Sequence, residues 1–279
     1  MLAAPMTTSE AQLVAAAQQG DEAAFNELMA AHAREIRSYL YRMTASREDA
    51  EDLAQIVWVR VFRHLAKFEG RSSFRTWLFA IATSAARDHH RSRQRWPADA
   101  QDRARTLAES GPETAEEFRR IAQLSEAGRY EIREHIDFCL TCIMKTLPLE
   151  QQLAVMLADI YGFTAAEGAE IVGVTLGVFK HLLHDARVTM ERVFENRCAL
   201  IGKTGVCHQC SELNGFFNPA QDQQAELAKL DLTRAAADPD RARLLDLRFA
   251  VARAIHPLHS AGADLQEAIM AVVRKANAN

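Results

Sequence analysis

Apolar residues recur at helical spacing through most of the chain. Phe25, Leu28, Met29, His32 and Ile36 follow Asp21 in a pattern that predicts a helix, preceded by a shorter one over residues 11–20 that Gly20 stops. Ser46 is placed to cap a long helix reaching residue 67, with Asp49 three positions on as a weak capping box. Its inward face is Leu53, Val57, Val61 and Leu65, at successive steps of four. Residues 67–73 contain Gly70 and two serines and predict a loop. Ser73 then caps a helix that aligns Phe74, Trp77, Leu78, Ile81 and Ala85, with arginines on its other face and Trp77 as a core anchor.

Beyond Pro97 the pattern lapses into a charged, Ala- and Glu-rich stretch containing Gly111-Pro112, which predicts a linker. Helical spacing resumes near Tyr130 and runs to Cys198, with breaks at Leu147-Pro148, Tyr161-Gly162 and Val172-Gly173. A Gly-containing loop over 202–218 and two or three further helices complete the chain. The expected fold is all-α, organised as 1–96, a linker 97–130, 131–197, and an extension 198–279. Composition agrees, with 12 glycines and 7 prolines in 279 residues. No stretch approaches the roughly 20 apolar residues of a membrane span, and the first ten residues lack the form of a signal peptide, so a cytoplasmic protein is expected.

Charge adds a local feature that the net value of −4 conceals. Between residues 60 and 95 stand nine arginines and lysines against two acids, whereas residues 97–137 carry ten acids against six arginines. A concentrated basic segment suits a polyanion contact, although a solvated helix face would show the same count.

The strongest local motif lies at residues 164–187. Thr164 and Glu167 form a capping box, Gly173 supplies a turn and Thr175 caps a second helix, with small Ala169 at the crossing and Ile171, Val174 and Phe179 around the turn. This predicts a helix-turn-helix, for which an ordinary αα-hairpin is the plainer alternative.

Together these segments resemble the extracytoplasmic-function (ECF) sigma factors of bacterial RNA polymerase. Asp49-Ala50-Glu51-Asp52-Leu53-Ala54-Gln55 is similar to that family's region 2.2. Residues 74–82, beginning Phe74-Arg75-Thr76-Trp77, with Asp88-His89-His90-Arg91 after them, resemble regions 2.3 and 2.4. Leu147-Pro148-Leu149-Glu150-Gln151 leading into the helix-turn-helix resembles region 4. The likeness covers about residues 13–95 and 139–196. It implies two helical sigma domains, with core RNA polymerase and promoter DNA as partners, an anti-sigma factor as a further one, and no catalysis. Asp49, Asp52 and Gln55 would meet the polymerase clamp, Ile56 standing where the family usually has Glu. Arg71, Arg75, Arg87, Arg91 and Arg93 would hold the −10 strand. Thr175, Lys180, His181, His184 and Arg187 would face the −35 element, on a helix less basic than is usual because Leu182 and Asp185 replace arginines. Two other readings stay open: a helix-turn-helix regulator that binds DNA without polymerase, and a thiol redox or metal-handling protein.

The latter reading comes from the five cysteines, all in the C-terminal half. Cys139/Cys142 and Cys207/Cys210 are two Cys-x-x-Cys pairs bracketing the helix-turn-helix, and four thiolates would make a closed Zn²⁺ site. A thiol redox or copper switch and plain packing of Cys139 and Cys142 are the alternatives. Finally, Leu227, Leu230 and Leu232, then Leu244, Leu245, Leu247, Phe249, Val251 and Ile255, and last Leu265, Ile269, Met270 and Val273 give the extension apolar helical segments that require a partner, while its charges balance at nine each. It is expected to dock on one of the two preceding domains and regulate in cis.

Overall fold

The structure is a computed structural model that describes residues 8–91, 95–100, 102–103, 106, 116, 132–197, 241–260 and 262–278. Within them the chain forms α1 (Thr8–Gln18), α2 (Glu22–Thr44), α3 (Arg47–His64), a 3-10 turn (Leu65–Lys67) and α4 (Phe74–Arg91). There follow α5 (Ile132–Met144), α6 (Leu149–Val155) running into a π-helical turn (Met156–Ile160), α7 (Ala165–Val172), α8 (Leu176–Arg197), α9 (Arg241–Ala254) and α10 (Ala263–Ala276). No strand occurs among the described residues.

Local chemistry sets the boundaries. The Asp21 carboxylate accepts from the amides of Ala23 and Ala24 at 2.9 and 3.0 Å and starts α2. That helix ends at Ala45, whose φ of +56° is left-handed, and Ser46 at once accepts from the Asp49 amide to start α3. The corner between them is therefore tight, with no intervening loop. Ser73 Oγ accepts from the Thr76 amide at 3.1 Å and caps α4. All three caps stand where the serine and aspartate spacing placed them.

The first four helices pack around Leu28, Ile36, Leu40, Val57, Val61, Phe74 and Leu78. This core does not stop at the boundary of the first domain. It continues without interruption through Met144, Leu153, Met156, Phe163 and Phe179 of the second half and into Leu245, Phe249 and Ala252 of α9. Phe79 on α4 meets Phe163 with ring centroids 4.8 Å apart, and Tyr39 on α2 meets Tyr161 at 5.4 Å. A second, smaller core joins Ala45, Trp96 and Ala100 to Phe138 and Cys142 of α5 and to Ile269, Met270 and Val273 of α10.

At the centre of the joint lies Arg42, which is 1% exposed. Its guanidinium donates to Asp137 at 2.7 Å, to Ser38 at 2.5 Å, to the Tyr161 hydroxyl at 3.1 Å, and to the carbonyls of Ala252 and Ile255 at 2.9 and 3.0 Å. One side chain of α2 thus binds α5, the end of the π-turn and the end of α9. Burial pushes the Asp137 carboxyl above its ordinary range, and the facing Arg42 offsets this only in part. The Arg42 pKa is raised above its ordinary value, Asp137 and Tyr161 outweighing the burial that would lower it.

Candidate nucleic-acid interface

Two surfaces were expected to meet DNA, and they differ in how open they are. On α8, Thr175 Oγ1 accepts from the Val178 amide at 3.3 Å and fixes the start of the helix. Thr175, Leu176, Gly177, Val178, Lys180, His181, His184 and Asp185 are exposed, so the first two turns of α8 present a continuous outer face. Behind it, the Thr164–Glu167 capping box is present in full and Gly173 turns the chain with φ +74°. The close crossing falls at Gly168, one residue before Ala169. A Cβ at Gly168 would lie 2.3 Å from the Phe179 ring. Arg187 turns inward instead of joining the outer face. Its Nε donates to Asp159 Oδ2 at 3.0 Å, and that bond raises the arginine pKa further.

The basic residues around α4 divide into two groups. Arg71, in the loop before the helix, and Arg91 at its end are exposed, and among the described residues they pair with Glu69 (3.2 Å) and Asp88 (3.4 Å). Phe68 anchors that loop against Trp77, with ring centroids 5.1 Å apart, so Trp77 serves packing as expected. Arg75 and Arg87 face the second half of the chain. Arg75 donates to Glu35 Oε2 at 3.0 Å and to the Tyr161 carbonyl at 2.7 Å, with its guanidinium 3.9 Å over the Phe163 ring. Arg87 donates to the carbonyl of Val172, the last residue of α7, at 2.8 Å. Arg93 lies outside the described residues.

On α3, Asp52 and Gln55 are exposed, while Asp49 is half-buried beside His89, Nε2 to Oδ2 at 3.8 Å. Ile56, Val59 and Phe62 are exposed around them, at 43, 49 and 65%. Sequence reasoning named the inward stripe of this helix and missed the outward one. Its signal is legible in retrospect: apolar residues at 56, 59 and 62 follow a helical step that the Leu53–Leu65 stripe does not explain.

Cys139 is half-buried and Cys142 fully buried on α5, with Cys142 Sγ 3.8 Å from Met270 Sδ. Cys207 and Cys210 lie outside the described residues. Among the described residues no group of three His, Cys, Asp or Glu side chains is placed to hold a metal.

Residues 28–96 match the family Sigma-70 region 2, and residues 137–190 match Sigma-70, region 4. Relatives align across well over half of the chain. The RNA polymerase sigma-H factor of Pseudomonas aeruginosa is 26% identical over 184 residues, which is 66% of this chain and 93% of that protein. The ECF RNA polymerase sigma-E factor of Haemophilus influenzae is 27% identical over 64% of this chain and 92% of its own. The chain belongs to the ECF sigma factors. The ECF sigma factor SigE of Mycolicibacterium smegmatis, 31% identical, covers 60% of this chain and 62% of its own. The two matched segments of this sigma factor are thus the two halves that share the core described above, and α9 and α10 lie beyond both matches.

Proposed function

We propose that this sigma factor docks on core RNA polymerase through the exposed face of α3 and holds promoter DNA through α4 and α8, directing initiation in the cytoplasm without catalysis of its own. The observation that carries the reading is the outer face of α8. A capped recognition helix offers Thr175, Lys180, His181 and His184 to solvent on a helix-turn-helix, the geometry that places such a helix in the major groove. Arg71 and Arg91 add phosphate contacts beside α4. No helix among the described residues is long and apolar enough to cross a membrane.

The test is open-complex formation with core polymerase. Arg71→Ala combined with Arg91→Ala should leave core binding unchanged and reduce strand opening. A chain that fails to bind core, yet footprints DNA alone at nanomolar concentration, would instead be an independent helix-turn-helix regulator.

The cysteine pairs enter this reading as a zinc site, with Cys139 and Cys142, three residues apart on one helix, supplying two thiolates and Cys207 and Cys210 the others. Loading it would require Cys142 to give up its contact with Met270. Metal analysis decides the matter: about one zinc per chain is expected, lost in Cys207→Ser with Cys210→Ser. Unchanged metal content in that variant would leave α5 with cysteines that only pack.

A further inference from the structure

The −10 and −35 elements lie about 25 base pairs apart, or about 85 Å of B-form duplex at about 3.4 Å per pair. A compact chain of this length spans only about 50 Å. Here, moreover, the two halves share one core, with Tyr161 of the second bonded to Ser38 of the first at 2.9 Å. The halves cannot reach both promoter elements while packed in this way. The arrangement must open before promoter DNA is engaged.

The contacts that close it follow one chemical pattern. Cationic or N–H-bearing side chains of one part donate to backbone carbonyls of another, at or near helix ends in every case but His256, whose acceptor Arg34 lies within α2. Arg87 caps Val172 at the end of α7, and Arg75 binds the Tyr161 carbonyl that follows the π-turn. Arg42 binds the carbonyls of Ala252 and Ile255 at the end of α9. In return, α9 and the residues after it send Arg253 to the Asp159 carbonyl and His256 to the Arg34 carbonyl, while Arg274 of α10 binds the carbonyl of Ala45, which closes α2. A helix C-terminus carries unsatisfied carbonyls and about half a negative charge, so it offers an arginine much of what a phosphate offers. Arg75 and Arg87 belong to the set expected to hold the promoter strand, and both are occupied.

We propose that this packing is a self-inhibited state of the sigma factor, in which helix-end carbonyls of the second half stand in for DNA phosphates on Arg75 and Arg87 and the C-terminal helices α9 and α10 clasp the two halves together. The inference rests on the sigma-factor reading and adds how the extension acts. It also gives an order of events. Asp52, Gln55, Ile56, Val59 and Phe62 on α3 remain exposed in the closed form. Core polymerase can therefore dock first, and opening follows; Arg87, and Arg75 apart from its pair with Glu35 of the same half, become available to DNA only then. Ligand-linked shifts of this kind require only that the polymerase bind the open form better than the closed one.

The test removes the clasp without touching either DNA- or polymerase-facing residues. In the full chain, Arg253→Ala, His256→Ala and Arg274→Ala are combined, and the radius of gyration in solution is measured by small-angle X-ray scattering beside transcription at limiting core polymerase. A larger radius with transcription raised about five-fold or more is expected, the low end of typical allosteric coupling. An unchanged radius overturns the clasp, and a larger radius with no gain in transcription overturns its inhibitory role. Should the triple variant lose helix content, Arg274→Ala alone, whose side chain reaches Ala45 and Glu267, gives the same comparison. If neither chain directs transcription, the sigma-factor reading is what fails; the radius alone then decides the clasp, growth supporting it and no change overturning it.

Discussion

A methyl group at Gly168 would sit inside the van der Waals radius of the Phe179 ring, so Gly168→Ala forces α7 and α8 apart. Overpacking of this kind costs about 1–3 kcal/mol, and urea unfolding should show the loss, while a similar stability would mean that the crossing can relax. The sequence contained this glycine in plain view, but helical spacing points equally to Ala169, and only the register of the two helices separates them. Arg42 was less legible still. It sits among apolar residues of α2 and looks like one more solvated arginine, because nothing local shows that Asp137, Tyr161 and the end of α9 converge on it. Removing it alone, as Arg42→Ala, strands a buried carboxylate and should cost about 3–5 kcal/mol in urea titration. Arg42→Met together with Asp137→Leu should recover most of that loss, since no buried charge is then left unpaired.

Helices were the readable level. Capping residues and stripes of three-and-four spacing placed α2, α3, α4, α7 and α8, because the signals that set them lie within one or two turns of chain. The apolar faces of α9 and α10 were equally visible. Their partners were not, since an apolar stripe specifies that it must be covered and not by what. His256, just after α9, allows the docking to be followed with pH. Its Nε2 donates to the Arg34 carbonyl at 2.9 Å and its Nδ1 accepts from the Leu258 amide at 3.3 Å, so these bonds belong to the neutral ring. Burial is the main cause that holds its pKa below the ordinary 6.5, with His259, Arg34 and Arg42 nearby adding to it and the bond to Arg34 opposing it. Glu35 and Arg253 line the same cleft. A depressed histidine stabilises the docked form fully above its ordinary value, and that contribution is lost as pH falls through 6.5 toward the lower folded value. Hydrogen-exchange protection of α9 should therefore fall as the pH drops below the ordinary histidine value of 6.5. The decline should be shallower in His256→Gln. An equal decline in both would assign the effect to other groups.

At the scale of the molecule, a promoter-binding subunit is expected to be two separate domains on a tether, and sequence motifs support that picture by matching each half independently. The packing of the halves into one core comes from Phe79 against Phe163, Tyr39 against Tyr161 and the α9 residues beneath them, contacts between positions 84 to more than 200 residues apart that no periodicity encodes. What was legible, then, was the family that each half resembles; how the halves pack against one another was not. The central claim is that this chain confers promoter specificity on RNA polymerase, and transcription start-site mapping on genomic DNA tests it most directly. Core polymerase supplied with the full chain should initiate at a discrete set of positions that core alone does not use, with a shared sequence near −10 and −35. Start sites indistinguishable from those of core alone, from a chain shown to be folded and bound to core, would contradict it.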